Sequence, residues 1–266
     1  MKLQTIFLLT IMLAAMTAPA QDWAKAELEK SPRHQEWVKV KQGSREVQSF
    51  IVYPEVKDKA PAVVVIHEIF GLSDWARTVA DQLAAAGYIA IAPDLLSGMA
   101  PGGGGTSDFS GQDAVTKAVS TLPPDQVTAD LDAVAEYVAK LPACNGKVVV
   151  AGFCWGGSQT FRYATHNDRI KAAFVFYGTG PDNPSDIARI NCPVYGFYGG
   201  NDARVNATIP KSSDLMKGAG KSYDPVTYEG AGHGFMRAGM APDPTEANKK
   251  AREEGWRRWL ELMKKI

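Results

Sequence analysis

Three short stretches hold the side chains best suited to chemistry: Gly152-Phe153-Cys154-Trp155-Gly156-Gly157, Gly199-Gly200-Asn201-Asp202, and Gly230-Ala231-Gly232-His233-Gly234. The first joins a buried-strand pattern, Val148-Val149-Val150-Ala151, to a helical continuation over 158–164. A strand, a turn with glycine on both sides of one residue, and a helix make a nucleophile elbow, here with Cys154 where serine usually stands. Glycine is required because the nucleophile's backbone is strained and strand and helix approach closely. The helix start aims free N–H groups and a positive dipole end at the sulfur, which favours thiolate. His233 would take the thiol proton and return it to a leaving group, and Asp202 would hold the imidazole tautomer. Cys154 by itself also fits a buried structural thiol.

Each of these residues follows a predicted strand. Strands are expected at 62–66, 88–92, 148–151, 172–176, 194–198 and 223–228, with helices at 75–86, 124–140, 158–164, 207–219 and 245–264. Alternation of this kind predicts an α/β fold, a mostly parallel central sheet with helices on both faces. Residues 37–40 and 47–53 read as a hairpin turning at Gln42-Gly43-Ser44, and residues 21–36 are helical in character. Residues 97–112, with Gly102 to Gly105 in a row, read as a mobile loop; no G-K-[ST] marks a phosphate cradle. Ligands bind at the carboxyl ends of such strands. The order nucleophile, acid, histidine is that of the α/β-hydrolase triad; Asp94 also follows a strand but precedes the nucleophile, so Asp202 is the preferred acid. An oxyanion needs two N–H donors, and the expected ones are Trp155 and Ile69.

The 266 residues carry 29 Lys+Arg and 29 Asp+Glu, so charge gives no argument for a nucleic-acid or membrane-surface partner. Lys2, the apolar stretch from Ile6 to Ala15 and Ala18-Pro19-Ala20 read as a signal peptide over residues 1–20. The expectation is a single domain over 21–266, exported to the periplasm, with no stable membrane association after cleavage and working as a monomer. No metal or other cofactor is expected: His67-Glu68 is not H-E-x-x-H, and no second His or Cys has ligand spacing. Cys144 and Cys192 both precede predicted strands and could pair, but only if those strands are neighbours; free thiols are preferred.

The combination His67-Glu68-Ile69-Phe70-Gly71, Ala92-Pro93-Asp94-Leu95, the Cys154 elbow, Asp202 and Gly232-His233 resembles the dienelactone hydrolase (carboxymethylenebutenolidase) family over essentially the whole mature chain. The resemblance implies an α/β-hydrolase fold and a Cys154–Asp202–His233 triad acting on a small ester or lactone through a thioacyl intermediate. It implies that Glu68 contacts the nucleophile and helps to switch it on. A carboxylate there could keep Cys154 protonated at rest. Arg237 matches one of two arginines that bind the substrate carboxylate; Leu96-Ser97-Gly98 stands where the other is expected. A thiol acyltransferase or peptidase, or a non-catalytic binding protein on the same fold, are the alternative readings.

Overall fold

The computed structural model describes residues 22–266; the expected leader over 1–20 lies outside them. Eight strands form one sheet: β1 (Gln35–Gln42), β2 (Arg45–Val52), β3 (Ala60–Ile66), β4 (Ile89–Pro93), β5 (Cys144–Phe153), β6 (Ala173–Phe176), β7 (Val194–Gly199) and β8 (Tyr223–Tyr228). Their spatial order is β1-β2-β4-β3-β5-β6-β7-β8. The β1–β2 hairpin and the β2–β4 pair are antiparallel, and every other pair is parallel. The mostly parallel sheet expected from the alternation is therefore present.

Helices α1 (Asp22–Lys30), α2 (Asp74–Ala85), α3 (Gln112–Ser120), α4 (Pro124–Ala139), α5 (Trp155–Ala164), α6 (Pro184–Ile187), α7 (Ala203–Asn206), α8 (Ile209–Gly218), α9 (Phe235–Ala238) and α10 (Glu246–Met263) fill the connections. The alternating strand residues divide the core in two. Val64, Ile66, Val148 and Val150 pack with α3, α4, α5 and α8 on one face. Val63, Val65, Val149 and Phe153 pack with α1, α2 and α10 on the other. The second layer centres on Trp259, fully buried against Phe153, Phe174 and Phe176. Each fully buried large apolar side chain contributes about 1.5–3 kcal/mol, so this cluster fixes how α10 covers the sheet behind the elbow.

Two expectations need correction. The segment after β4 is tied down rather than loose: Thr106 N–H and Oγ1–H both donate to the Asp94 carboxylate, each at 2.7 Å, and Thr106 Oγ1 accepts from Leu72 N–H at 3.1 Å. Helix α3 comes after it, capped by no side chain and only nine residues long, too short for its periodicity to stand out. The preferred reading of the other two cysteines holds: Cys144 and Cys192 are both free and buried. They start β5 and precede β7, strands kept roughly 10 Å apart by β6 at ordinary strand spacing, too far for a bridge.

Candidate active site

Six strands deliver the site residues at their carboxyl ends: His67-Glu68 after β3, Asp94 after β4, Cys154 after β5, Tyr177 after β6, Asp202 after β7 and His233 after β8. Cys154 has φ 55° and ψ −116°, a left-handed conformation that costs a non-glycine residue of order 1–3 kcal/mol. The surroundings hold it there. Its N–H donates to Phe176 O at 3.0 Å and its carbonyl accepts from Ser158 N–H at 3.1 Å. The flanking glycines are sterically obligatory: a methyl on Gly152 would strike the Gly156 carbonyl oxygen, and one on Gly156 the carbonyl oxygens of Ile66 and His67. Cys154 N-caps α5 and is partly exposed, so its sulfur stands at a helix N-terminus within reach of a ligand.

His233 Nε2 lies 3.0 Å from Cys154 Sγ, and Nδ1 lies 2.5 Å from Asp202 Oδ2. Asp202 is buried and caps α7, accepting from Val205 N–H at 3.3 Å, which fixes its carboxylate toward the imidazole. The bond to Cys154 pushes the His233 imidazole up to about 9; burial works against it and the Asp202 hydrogen bond adds to the rise. With both ring nitrogens protonated, His233 donates to sulfur and carboxylate together. Asp94, the rival acid, is instead occupied by Thr106 and by Leu96 N–H at 3.0 Å.

Glu68 is buried at the exit of β3, and two partners hold its carboxylate. Oε2 accepts from Arg237 Nε–H at 2.7 Å and Oε1 from the Tyr177 hydroxyl at 3.2 Å. Burial opposes the Arg237 cation, but Glu68 overcomes it and the guanidinium is held above its ordinary range. Burial, reinforced by Glu68, raises the Tyr177 phenol well above its own, so it stays a donor. Arg237 also packs its guanidinium 5.0 Å from the Phe70 ring centroid. The geometry thus joins Glu68 and Arg237, which the sequence assigned to separate tasks.

Tyr177 is the residue that sequence reasoning missed. It has φ 41°, is fully buried, and sets its ring edge-on to His233 at 5.1 Å. The available signal was its position directly after β6, the same criterion that selects Asp202 and His233. The expected oxyanion donors are both free to act. Trp155 opens α5, so its N–H has no intrahelical acceptor. Neither it nor Ile69 N–H donates to a backbone group in the turns and loops of the described residues.

The model of the dienelactone hydrolase family matches residues 47–266. A Salmonella typhimurium protein named "Putative carboxymethylenebutenolidase" is 35% identical over 228 residues, 81% of this chain and 82% of its own. A like-named Escherichia coli K12 protein is 35% identical over 215 residues, 77% of this chain and 76% of its own. Among solved structures, a dienelactone hydrolase-type chain from Klebsiella pneumoniae superposes with TM-score 0.74 at 29% identity, covering 86% of this chain and 97% of the other. A dienelactone hydrolase-like promiscuous phosphotriesterase from metagenomic libraries shares the fold at TM-score 0.75 and 22% identity, covering 88% and 98%. With its eight-stranded sheet and a family match reaching from β2 to the last residue, the chain belongs to the dienelactone hydrolase family of α/β-hydrolases and is a carboxymethylenebutenolidase-like hydrolase.

Proposed function

We propose that the chain hydrolyses small carboxylic esters or lactones through a thioacyl-enzyme on Cys154. The observation that carries this reading is the continuous relay from Cys154 Sγ through His233 to Asp202 at the mouth of the sheet. The sulfur attacks the substrate carbonyl carbon, and the carbonyl π pair moves onto oxygen, where Trp155 and Ile69 N–H groups receive it. Collapse breaks the bond to the alkoxide, which leaves with the Nε2 proton of His233. The first cause of the raised His233 basicity is its bond to Cys154. That partner is lost once the sulfur is acylated, so His233 falls back toward a general base. It then takes a proton from water as the hydroxyl adds to the thioester; collapse releases the acid and restores the starting pair.

Arg237 is the group to meet a substrate carboxylate, in competition with Glu68. The place of a second arginine is taken by buried Leu96 and Ser97, the latter spending its hydroxyl on the Asp94 carbonyl at 2.5 Å and on Gln48 N–H at 2.9 Å. Neither side chain carries a cation to meet an anion. A one-armed clamp forgoes charge-assisted bonds worth roughly 1.5–3 kcal/mol, so a substrate carboxylate is held less tightly here than between two arginines. The Lys2 to Ala20 segment supports a periplasmic setting.

The test is hydrolysis of short 4-nitrophenyl esters by wild type, Cys154→Ala and His233→Ala, with intact-mass detection of a Cys154 acyl adduct at low temperature. Loss of turnover in both variants and an adduct only in the wild type is expected. Undiminished turnover in either variant would overturn the proposal.

A further inference from the structure

His67 is the one fully buried histidine at the site, and the relay does not use it. Its Nδ1 lies 2.7 Å from the carbonyl oxygen of Glu68, and a carbonyl can only accept, so Nδ1 carries the proton. Burial lowers its basicity against the pull of that bond, which leaves Nε2 bare, and Nε2 has no hydrogen-bond partner. The ring also lies parallel to the Trp155 indole, with centroids 5.5 Å apart and planes 14° from each other. One imidazole therefore meets Trp155 directly and Ile69 through the peptide that carries the Glu68 carbonyl oxygen. The link to Ile69 is geometric. Glu68 C=O and Ile69 N–H belong to one planar trans peptide and point in opposite directions. Fixing the carbonyl fixes the aim of the N–H. The carbonyl is held from two sides, by His67 Nδ1–H and by Gly71 N–H at 3.2 Å.

We propose that His67 is a positioning residue for the oxyanion hole, aiming Ile69 N–H through the Glu68 carbonyl and bracing Trp155 by stacking. This rests on the proposed hydrolase reading, in which those N–H groups receive the developing charge. A preorganised donor acts only where charge appears in the transition state. His67 should therefore matter for attack on a carbonyl and not for reactions of the sulfur that create no oxyanion.

That distinction gives the test. Cys154 reacts with iodoacetamide by displacement at carbon, with no oxyanion formed, whereas a 4-nitrophenyl ester needs the hole. His67→Phe keeps a stacking ring without the donor; His67→Asn keeps an N–H near the Nδ1 position. In His67→Phe, kcat on the ester should fall about 10–100-fold with KM little changed, since a whole donor is worth about 10²–10³. The alkylation rate and its pH profile should remain those of the wild type, and His67→Asn should recover most of the lost kcat. Should His67→Phe not fold, His67→Gln, whose amide sits one bond beyond the Nδ1 position, replaces it with the same expectations. Unchanged ester turnover in the folded variant would refute the role of His67 alone. So would a parallel fall in alkylation, which would mean general damage to the elbow. A wild type that alkylates at Cys154 but hydrolyses no ester would instead remove the hydrolase reading and this inference with it.

Discussion

Gly156→Ala puts the close approach of α5 and β3 to a quantitative test. The added methyl would stand 2.5 Å from the Ile66 carbonyl oxygen and nearer still to that of His67. An ordinary carbon–oxygen contact is about 3.3 Å, so the nearer clash requires helix and strand to part by roughly 1 Å. Both obstacles are backbone in buried elements, so little can yield, and overpacking should cost about 3 kcal/mol. Replacing glycine in a helix returns at most about 1 kcal/mol. A net loss of about 2 kcal/mol lowers the melting temperature by roughly 4–8 °C in a chain of this size. The same displacement carries Cys154 and Trp155 away from the β3 exit, and a shift near 1 Å can cost about 10²-fold in rate. Circular dichroism melting and kcat/KM on a 4-nitrophenyl ester read the two effects. Gly218→Ala, where an added methyl meets nothing within 4 Å, is the control and should not lower the melting temperature. A Gly156→Ala protein melting within about 1 °C of wild type with full activity would refute the account of the elbow.

Four further outcomes are expected. Acylation should fall as pH rises through about 9, where His233 loses the proton meant for the leaving group; Asp202→Asn removes one support of that proton and should move the alkaline limb to lower pH, with an unmoved limb counting against the assignment. Because folding raises the His233 pKa above its unfolded value, its stabilisation should be complete below pH ~6.5 and lost as pH rises through about 9; a His233→Ala protein with the same slope of melting temperature against pH would contradict this. Glu68→Gln frees Arg237 from its carboxylate and should lower KM for esters bearing a carboxylate by about tenfold, leaving neutral esters unaffected; equal shifts for both would show that Arg237 does not meet the substrate. Ellman's reagent should titrate Cys154 in the native protein and all three cysteines in guanidinium chloride; a single thiol in denaturant would mean that Cys144 and Cys192 are bridged after all.

The elbow, the chain order of Cys154, Asp202 and His233, and the parallel sheet are legible in the sequence because local rules set them. Glycine spacing, β-branched runs and turn residues act within a few positions of where they are read. What escapes is set by contacts distant in the chain. Thr106 is unremarkable until Asp94 and Leu72 are folded against it. Tyr177 carries no motif, and its left-handed φ and its bond to Glu68 depend on strands far apart in sequence. Glu68 and Arg237 lie 169 positions apart, so their pairing cannot be inferred from either neighbourhood. His67 stands inside a recognisable stretch, but its use depends on the Trp155 ring at the start of α5 lying beside it.

The Asp94–Thr106–Leu72 connection has a consequence for how the family can diversify. The run from Gly98 to Gly105 is anchored at its return point to the floor of the cleft, much as a tent wall is pegged at its hem. The exposed residues between the pegs, Met99 and Pro101, can change in size or charge without pulling on the catalytic strands. Library design on this segment should therefore vary the exposed Met99 and Pro101 and leave Asp94, Thr106 and the glycines Gly102 to Gly104 untouched.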